Sequence, residues 1–327
     1  GRVVAQTSKM RAFDFEPAKD TSVFRDVEDV MTGLERAKTV VRAMGKYVPI
    51  DLVRRLYESN EEPRLGGELE DLSMMFTDIE GFTSLSEKLP PDALAKKLGE
   101  YLEAMTVAIE DTGGTIDKYI GDAVMAIWNA PTHVSDHPKR ACRAALACMD
   151  AAKKLYASES WKGVGLPPLV TRFGLHRAKV MVGHFGAPTR LSYTALGDGV
   201  NLAARLEPLC KQYGVVALAS EAIVEAVGDE FVFRRIDRVA VKGKTQGIDV
   251  YELVGRRGEA LAQLDRCKTY ERAFEAYLGR DFDRALALLG PQVREDPPSA
   301  VLAERCRVMR DAPPPEGWAG IHVARSK

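Results

Sequence analysis

The stretch Leu72-Ser73-Met74-Met75-Phe76-Thr77-Asp78-Ile79-Glu80-Gly81-Phe82-Thr83 decides the fold. Leu72 to Thr77 is a short apolar run of the kind that fills a strand buried on both faces. It stops abruptly at Asp78, and Ser84-x-x-Glu87 behind it reads as a capping box opening a helix. Leu94, Leu98, Leu102, Met105 and Ile109 then recur every three or four residues, and Gly113-Gly114 ends that helix. Thr115–Ile120 and Ala123–Trp128 are apolar runs joined by Gly121-Asp122, a hairpin signal. Pro138 to about Tyr156 reads as an Ala-rich helix. Leu169–Leu175 and Ala178–Phe185 read as further strands. Helices are expected over Asp198 to about Tyr213 and over Ser220–Val227, and strands over Phe231–Val241 and Ile248–Leu253. From Asp71 the order is strand, helix, strand, strand, helix, strand. That is the α+β, ferredoxin-like split βαβ order, with one sheet face under helices and the other needing cover.

The flanks differ in character. Residues 1–26 are weakly patterned and read as an irregular lead-in. Val27, Val30, Leu34, Ala37, Val41, Met44 and Val48 are spaced 3, 4, 3, 4, 3 and 4. That narrow seam predicts a dimerising coiled coil, although a single amphipathic helix packed on its own domain has a related pattern. Gly45 to Pro49 breaks it, a short helix follows from Pro49 to about Glu58, and residues 59–69 read as a linker. The divisions are therefore 1–26 lead-in, 27–69 signalling helix and linker, 70–255 central domain, and 256–327 helical extension. In the last, Ala273, Tyr277, Phe282, Ala285 and Leu288-Leu289 fit a tetratricopeptide-like helix pair, with Pro297-Pro298 after it and an extended tail around Pro313-Pro314-Pro315. One repeat cannot bury its own face, so it is expected to dock on the preceding domain or on a partner.

Composition narrows the function. The chain has 327 residues, 46 Lys plus Arg against 47 Asp plus Glu, and a formal net charge of −1. This balance argues against a dedicated nucleic-acid binder. Five scattered cysteines without a CxxC pair imply neither a disulfide framework nor a zinc module, and favour a reducing compartment. No apolar run is long enough to span a membrane. The start lacks Met and a signal peptide, and reads as part of something longer.

Two acidic residues stand out by position. Asp78 ends a buried strand, and Asp122 sits in the turn between the next two. In a split βαβ sheet these places are adjacent, so the pair can hold divalent cations against a polyphosphate. Taken singly, Asp78 is also a turn cap and Asp122 is ordinary turn chemistry. Gly81, Thr83 and Ser84 present backbone N–H groups suited to phosphate, though no Walker loop is present. Asn201 and Arg205 lie one helical turn apart in an Ala-rich helix. Val241-Lys242-Gly243-Lys244 is a basic turn. His133 and His137 lack the Glu of a zinc-binding HExxH and read as loop residues.

These clusters, in this order, resemble a class III nucleotidyl cyclase homology domain over about Leu72 to Val254. The motifs carrying the resemblance are Phe76 to Thr83, Asp117-Lys118-Tyr119-Ile120-Gly121-Asp122, the Tyr193 to Arg205 segment, and Lys242. The resemblance implies that Asp78 and Asp122, helped by the Ile79 carbonyl, bind two Mg²⁺ or Mn²⁺ ions, with Gly81, Phe82 and Thr83 beside the phosphates. Lys118 and Thr194 fall where the family reads the purine. Lys with Thr is similar to the adenylyl-specific subtype, class IIIb, since Lys donates to adenine N1 and Thr accepts from the exocyclic amine. Asn201 would orient the ribose, Arg205 would face the α-phosphate, and Lys242 with Arg190 the terminal phosphates. The implied reaction is ATP to 3′,5′-cyclic AMP and pyrophosphate by in-line attack of the ribose 3′-OH. The implied assembly is a homodimer with two shared sites. Location would be cytoplasmic, as the cytosolic part of a membrane-anchored cyclase whose sensor or membrane domain lies outside this chain. Bicarbonate stimulation is a further possibility of the subtype. The competing readings are a guanylyl cyclase, a non-catalytic cyclase-like regulatory domain, and a diguanylate cyclase, against which the absence of a GGDEF-like turn argues.

Overall fold

A computed structural model describes residues 2–17, 25–59, 62–162, 169–240 and 247–323. The chain divides into two compact units, residues 1–67 with 183–194, and residues 68–182 with 195–327.

The first unit carries α1 (Arg2–Arg11), α2 (Arg25–Met44) and α3 (Ile50–Ser59). The lead-in expected to be irregular is therefore helical over Arg2–Arg11. Its tie is Lys38 on α2, fully buried, whose Nζ donates to Gln6 Oε1 at 2.6 Å and to the Glu16 carbonyl at 3.2 Å, and pairs with Glu35 at 2.9 Å. A buried ammonium needs such a set of acceptors to offset its lost hydration. Phe13, Phe15 and Tyr57 pack edge-to-face with centroids 5.0 to 5.6 Å apart. The heptad seam is only partly covered within the chain: Val30 and Met44 are each 50% exposed and Ala37 is exposed, while Val27, Leu34, Val41 and Val48 are half-buried. Pro49 precedes α3 at its first residue, as the pattern predicts.

The remaining elements are β1 (Gly66–Ile79), α4 (Phe82–Ser86), α5 (Pro91–Glu110), β2 (Thr115–Ile120), β3 (Ala123–Trp128), α6 (His137–Ala157), α7 (Glu159–Lys162), β4 (Thr171–Ala187), β5 (Arg190–Leu196), α8 (Asp198–Tyr213), β6 (Ala217–Ser220), α9 (Glu221–Val227), β7 (Phe231–Ala240), β8 (Ile248–Arg256), α10 (Leu264–Leu278), α11 (Phe282–Leu289), α12 (Pro297–Asp311) and β9 (Ile321–Val323). The strands form one sheet in the order β2-β3-β1-β4-β6-β8-β7-β9, with β5 paired to β4. The first four positions are the split βαβ arrangement. β3 runs antiparallel to both β1 and β2, which brings the end of β1 beside the β2–β3 turn.

One core joins α5, α6 and α9 to the strands through Tyr101, Met105, Ile109, Trp128, Cys148 and Phe173. A second joins α8 and α10–α12 to β6–β8. The helical extension thus docks on the preceding domain. α8 lies unusually close to β4: a Cβ on Gly174 would come within 2.5 Å of the Glu207 N and 2.7 Å of the Ala203 O. That approach fixes the helix carrying Asn201 and Arg205.

Several readings change. β1 begins at Gly66, inside the expected linker, because nothing from Gly67 to Asp71 breaks an extended chain. The two strands expected around His176-Arg177 are one, β4, since neither residue is a turn former. β5 and β6 were not anticipated. α4 is capped by Gly81 and ends at Ser86, with Glu87 at its C-cap, so the capping box does not form. Pro297-Pro298 starts a third helix instead of closing a pair: proline suits the first turn of a helix, and Asp296 accepts from the Ser299 N–H as the N-cap. The tail adds β9 alongside β7. His137 is buried at the start of α6, its Nδ1 2.8 Å from Ser73 Oγ, and serves packing. Among the described residues no helix is long and apolar enough to cross a membrane.

Candidate active site

Thr77 pairs with Val124 across β1 and β3, and Ile120 with Ala123 across the turn. Gly121 takes a φ of 66°, which lets the hairpin close tightly. The Ile79 N–H donates to Asp122 Oδ2 at 3.1 Å. The Asp78 and Asp122 carboxyl groups reach each other, and both are half-buried. Burial, and then the charge of Asp122, push Asp78 up to about 6. Burial also raises Asp122. Two carboxylates held this close favour keeping a proton or acquiring a cation. Their hard oxygen donors suit Mg²⁺ or Mn²⁺. Among the described residues no three His, Cys, Asp or Glu side chains form a metal cage.

A residue the sequence reading missed sits beside this pair. Arg172 on β4 is 8% exposed, with its guanidinium 3.4 Å from Glu80 and 3.8 Å from Glu207. Its charge is felt at Asp78, where it opposes the upward shift. Glu207 on α8 is pushed up to about 7 by burial, and then by Asp78, with Arg172 acting against both. The available signal was a lone charge in the apolar run Leu169-Val170-Thr171-Arg172-Phe173. Hydrophobic periodicity gives such a charge no weight.

The other candidates fall as follows. Gly81, Phe82 and Thr83 lie at the start of the five-residue α4, next to Asp78 in sequence. Lys118 on β2 pairs with Asp117 at 3.1 Å. Asn201 is exposed and Arg205 half-buried, four residues apart on α8. Thr194 is buried on β5, and Arg190 begins that strand, exposed. Thr194 and Arg190 belong to the first unit and the carboxylate pair to the second. Lys242 lies outside the described residues. The structure thus assembles Asp78, Ile79 and Asp122 directly and keeps Asn201 and Arg205 together on one helix.

The split βαβ sheet thus brings two carboxylates together where the end of β1 meets the β2–β3 turn. Residues 67–255 match the adenylate and guanylate cyclase catalytic domain, and the chain belongs to that family. It is 35% identical over 249 residues to adenylate cyclase 1 of Rhizobium meliloti (strain 1021), a match covering 76% of this chain and 37% of that one. Among solved structures it resembles the adenylyl cyclase CyaB from P. aeruginosa, at 34% identity and a TM-score of 0.54, covering 59% of this chain and 98% of that one. It also resembles the guanylyl cyclase Cya2, at 29% identity and a TM-score of 0.53, covering 59% and 95%. The chain spans well under half the length of the curated relatives it matches.

Proposed function

We propose that this chain is the catalytic part of an adenylate cyclase, converting ATP to 3′,5′-cyclic AMP and pyrophosphate. The observation that carries the reading is the Asp78–Asp122 pair, locked by the Ile79 N–H at the junction of β1 and the β2–β3 turn. Asp78, Asp122 and the Ile79 carbonyl would hold two divalent cations. When bound, these acidify the ribose 3′-OH and neutralise the triphosphate. Lys118 donates to adenine N1, and Thr194 accepts from the exocyclic amine; guanine presents the opposite pattern at both atoms. Asn201 orients the ribose so that its 3′-oxygen lies in line with the α-phosphorus. Arg205 stabilises charge building on the α-phosphate. Arg172 faces the phosphates beside the carboxylate pair, and Gly81 to Thr83 line the same edge. Lys242 and Arg190 complete the grip on the leaving pyrophosphate.

The site is shared in a homodimer, with Asp78 and Asp122 of one protomer meeting Lys118, Thr194, Asn201 and Arg205 of the partner subunit. Exposed Tyr119 and Ile120 next to Lys118 support an interface there, and the exposed seam positions Val30, Ala37 and Met44 on α2 support pairing of the signalling helices. All five cysteines are buried and unpaired, which supports a reducing, cytoplasmic setting.

The test is purified protein with Mg²⁺ or Mn²⁺, given ATP or GTP in parallel. The expected product is cAMP, with GTP turned over at least tenfold less efficiently, as loss of matched hydrogen bonds dictates. Predominant cGMP would overturn the Lys118 and Thr194 assignment.

A further inference from the structure

We infer that Asp117 is a positioning residue for purine selection, acting through Lys118; the inference rests on the purine-reading role proposed above for Lys118. In a regular strand, neighbouring residues point to opposite faces. Asp117 and Lys118 do not follow that rule. The β2–β3 register pairs Ile116 with Ala126 and Lys118 with Met125, so Asp117 is an extra residue in β2, a β-bulge. A bulge re-aims side chains. Here it lets adjacent residues meet: Lys118 Nζ lies 3.1 Å from Asp117 Oδ1. The two ends of this pair differ sharply in exposure. The Asp117 side chain is fully buried, while Lys118 is 44% exposed.

The other Asp117 oxygen, Oδ2, accepts from the Ala195 N–H at 3.2 Å. That amide belongs to the peptide plane shared with Thr194. One buried carboxylate therefore holds the ammonium of Lys118 and pins the backbone at the residue following Thr194. A flexible lysine reading a base must be held in one direction to discriminate. Thr194 carries no charge with which to orient it. Asp117 supplies that anchor from within the same strand, rigid because the side chain is buried and doubly engaged.

The test compares kcat/KM for ATP and GTP in Asp117→Asn, Lys118→Ala and the double variant, with thermal melting of each. Asn keeps an acceptor for the Ala195 N–H and removes the charge. Asp117→Asn should lower the ATP-over-GTP preference about tenfold, mostly through a higher KM for ATP, as loss of a charge-assisted contact implies. In the Lys118→Ala background the same change should alter the preference less than about twofold, since one interaction cannot be lost twice. Asp117→Ser, which removes the carboxylate without adding volume, runs alongside and gives the same readout should Asn misfold. Three outcomes overturn the proposal. A preference unchanged in both Asp117 variants, while Lys118→Ala shifts it, removes the positioning role alone. Equal losses with both nucleotides and a lower melting temperature make Asp117 merely structural. An unchanged preference in Lys118→Ala removes the purine reading itself, and the inference with it.

Discussion

Two clusters of buried charge in this chain are balanced in opposite ways. Under the helical extension, Arg234 lies 2.8 Å from both Asp296 oxygens and donates to Glu252 at 2.8 Å. Arg305 meets Asp237 at 2.6 Å, Tyr213 donates to the same carboxylate at 2.7 Å, and Arg266 stands 3.8 Å from Asp296. Three guanidinium groups face three carboxylates, and two of the guanidiniums lie over aromatic rings, Tyr270 and Tyr277. Around Arg172, in contrast, Glu80 and Glu207 lie 3.4 and 3.8 Å from the guanidinium, Asp78 feels its charge, and Asp122 stands against Asp78. Burial of charge is common to both. The first cluster neutralises itself and holds α10–α12 to the sheet. The second carries an excess of negative charge that divalent cations would offset. A deficit of positive charge, more than burial, separates a site from a strut.

The sharpest way to break this comparison is Asp122→Ala. Removing one carboxylate from the deficient cluster should lower cAMP formation about a thousandfold, the several kcal/mol that cation-assisted charge stabilisation supplies. The melting temperature should change little, because relief of the repulsion with Asp78 offsets loss of the hydrogen bond from the Ile79 N–H. Undiminished cAMP output would sink the cation assignment. The opposite pattern is expected from Asp296→Ala. Arg234, 3% exposed, then keeps only part of its compensation, and unfolding by urea should show a loss of about 3 kcal/mol. The dependence of the remaining activity on divalent cation should stay as in the parent chain. A shift in that dependence would join the two clusters into one functional unit.

How far the sequence reaches follows the same division. Asp78 and Asp122 are readable because each interrupts an apolar run where turn chemistry is expected, and the split βαβ order then places the two turns side by side. Arg172 escaped because it sits inside a strand, where periodicity looks for apolar residues and treats one charge as noise. The Arg234–Asp296 and Arg305–Asp237 pairs join residues 62 and 68 positions apart, and no local pattern announces such partners. The start of α12 is ambiguous in sequence: Pro297-Pro298 punctuates a helix at either end, and the deciding feature is Asp296 accepting from the Ser299 N–H. The Asp117 bulge is equally silent, since Thr115–Ile120 has the composition of an unbroken strand. The pieces of the site at chain turns were visible, and the pieces set by register or long-range charge were not.

The smallest effect sharpens the contrast through pH. Burial, reinforced by Asp78, raises Glu207 from 4.5 to about 7, with Asp122 and Glu80 adding to the rise and Arg172 resisting it. A carboxyl whose folded pKa is raised binds its proton more tightly in the folded state. Below about pH 4.5 both states are protonated and the shift costs nothing; through the window up to about 7 the unfolded state ionises first, so stability falls as pH rises. Glu207→Gln should leave stability at pH 4 unchanged and raise it at pH 8 by about 2 kcal/mol, after discounting for screening. Asp249 on β8, paired with two guanidinium groups, should show the reverse sign. Burial there works against Asp249 too, yet Arg238 and Arg235 hold its carboxyl below the usual range. Its contribution is therefore present above about pH 4 and is lost as pH falls further. Urea unfolding of the cation-free chain and of Glu207→Gln across pH 4 to 8 measures the difference. Parallel curves would show that Glu207 is already ionised, with Arg172 as an adequate partner, and the charge deficit would shrink to the Asp78–Asp122 pair alone.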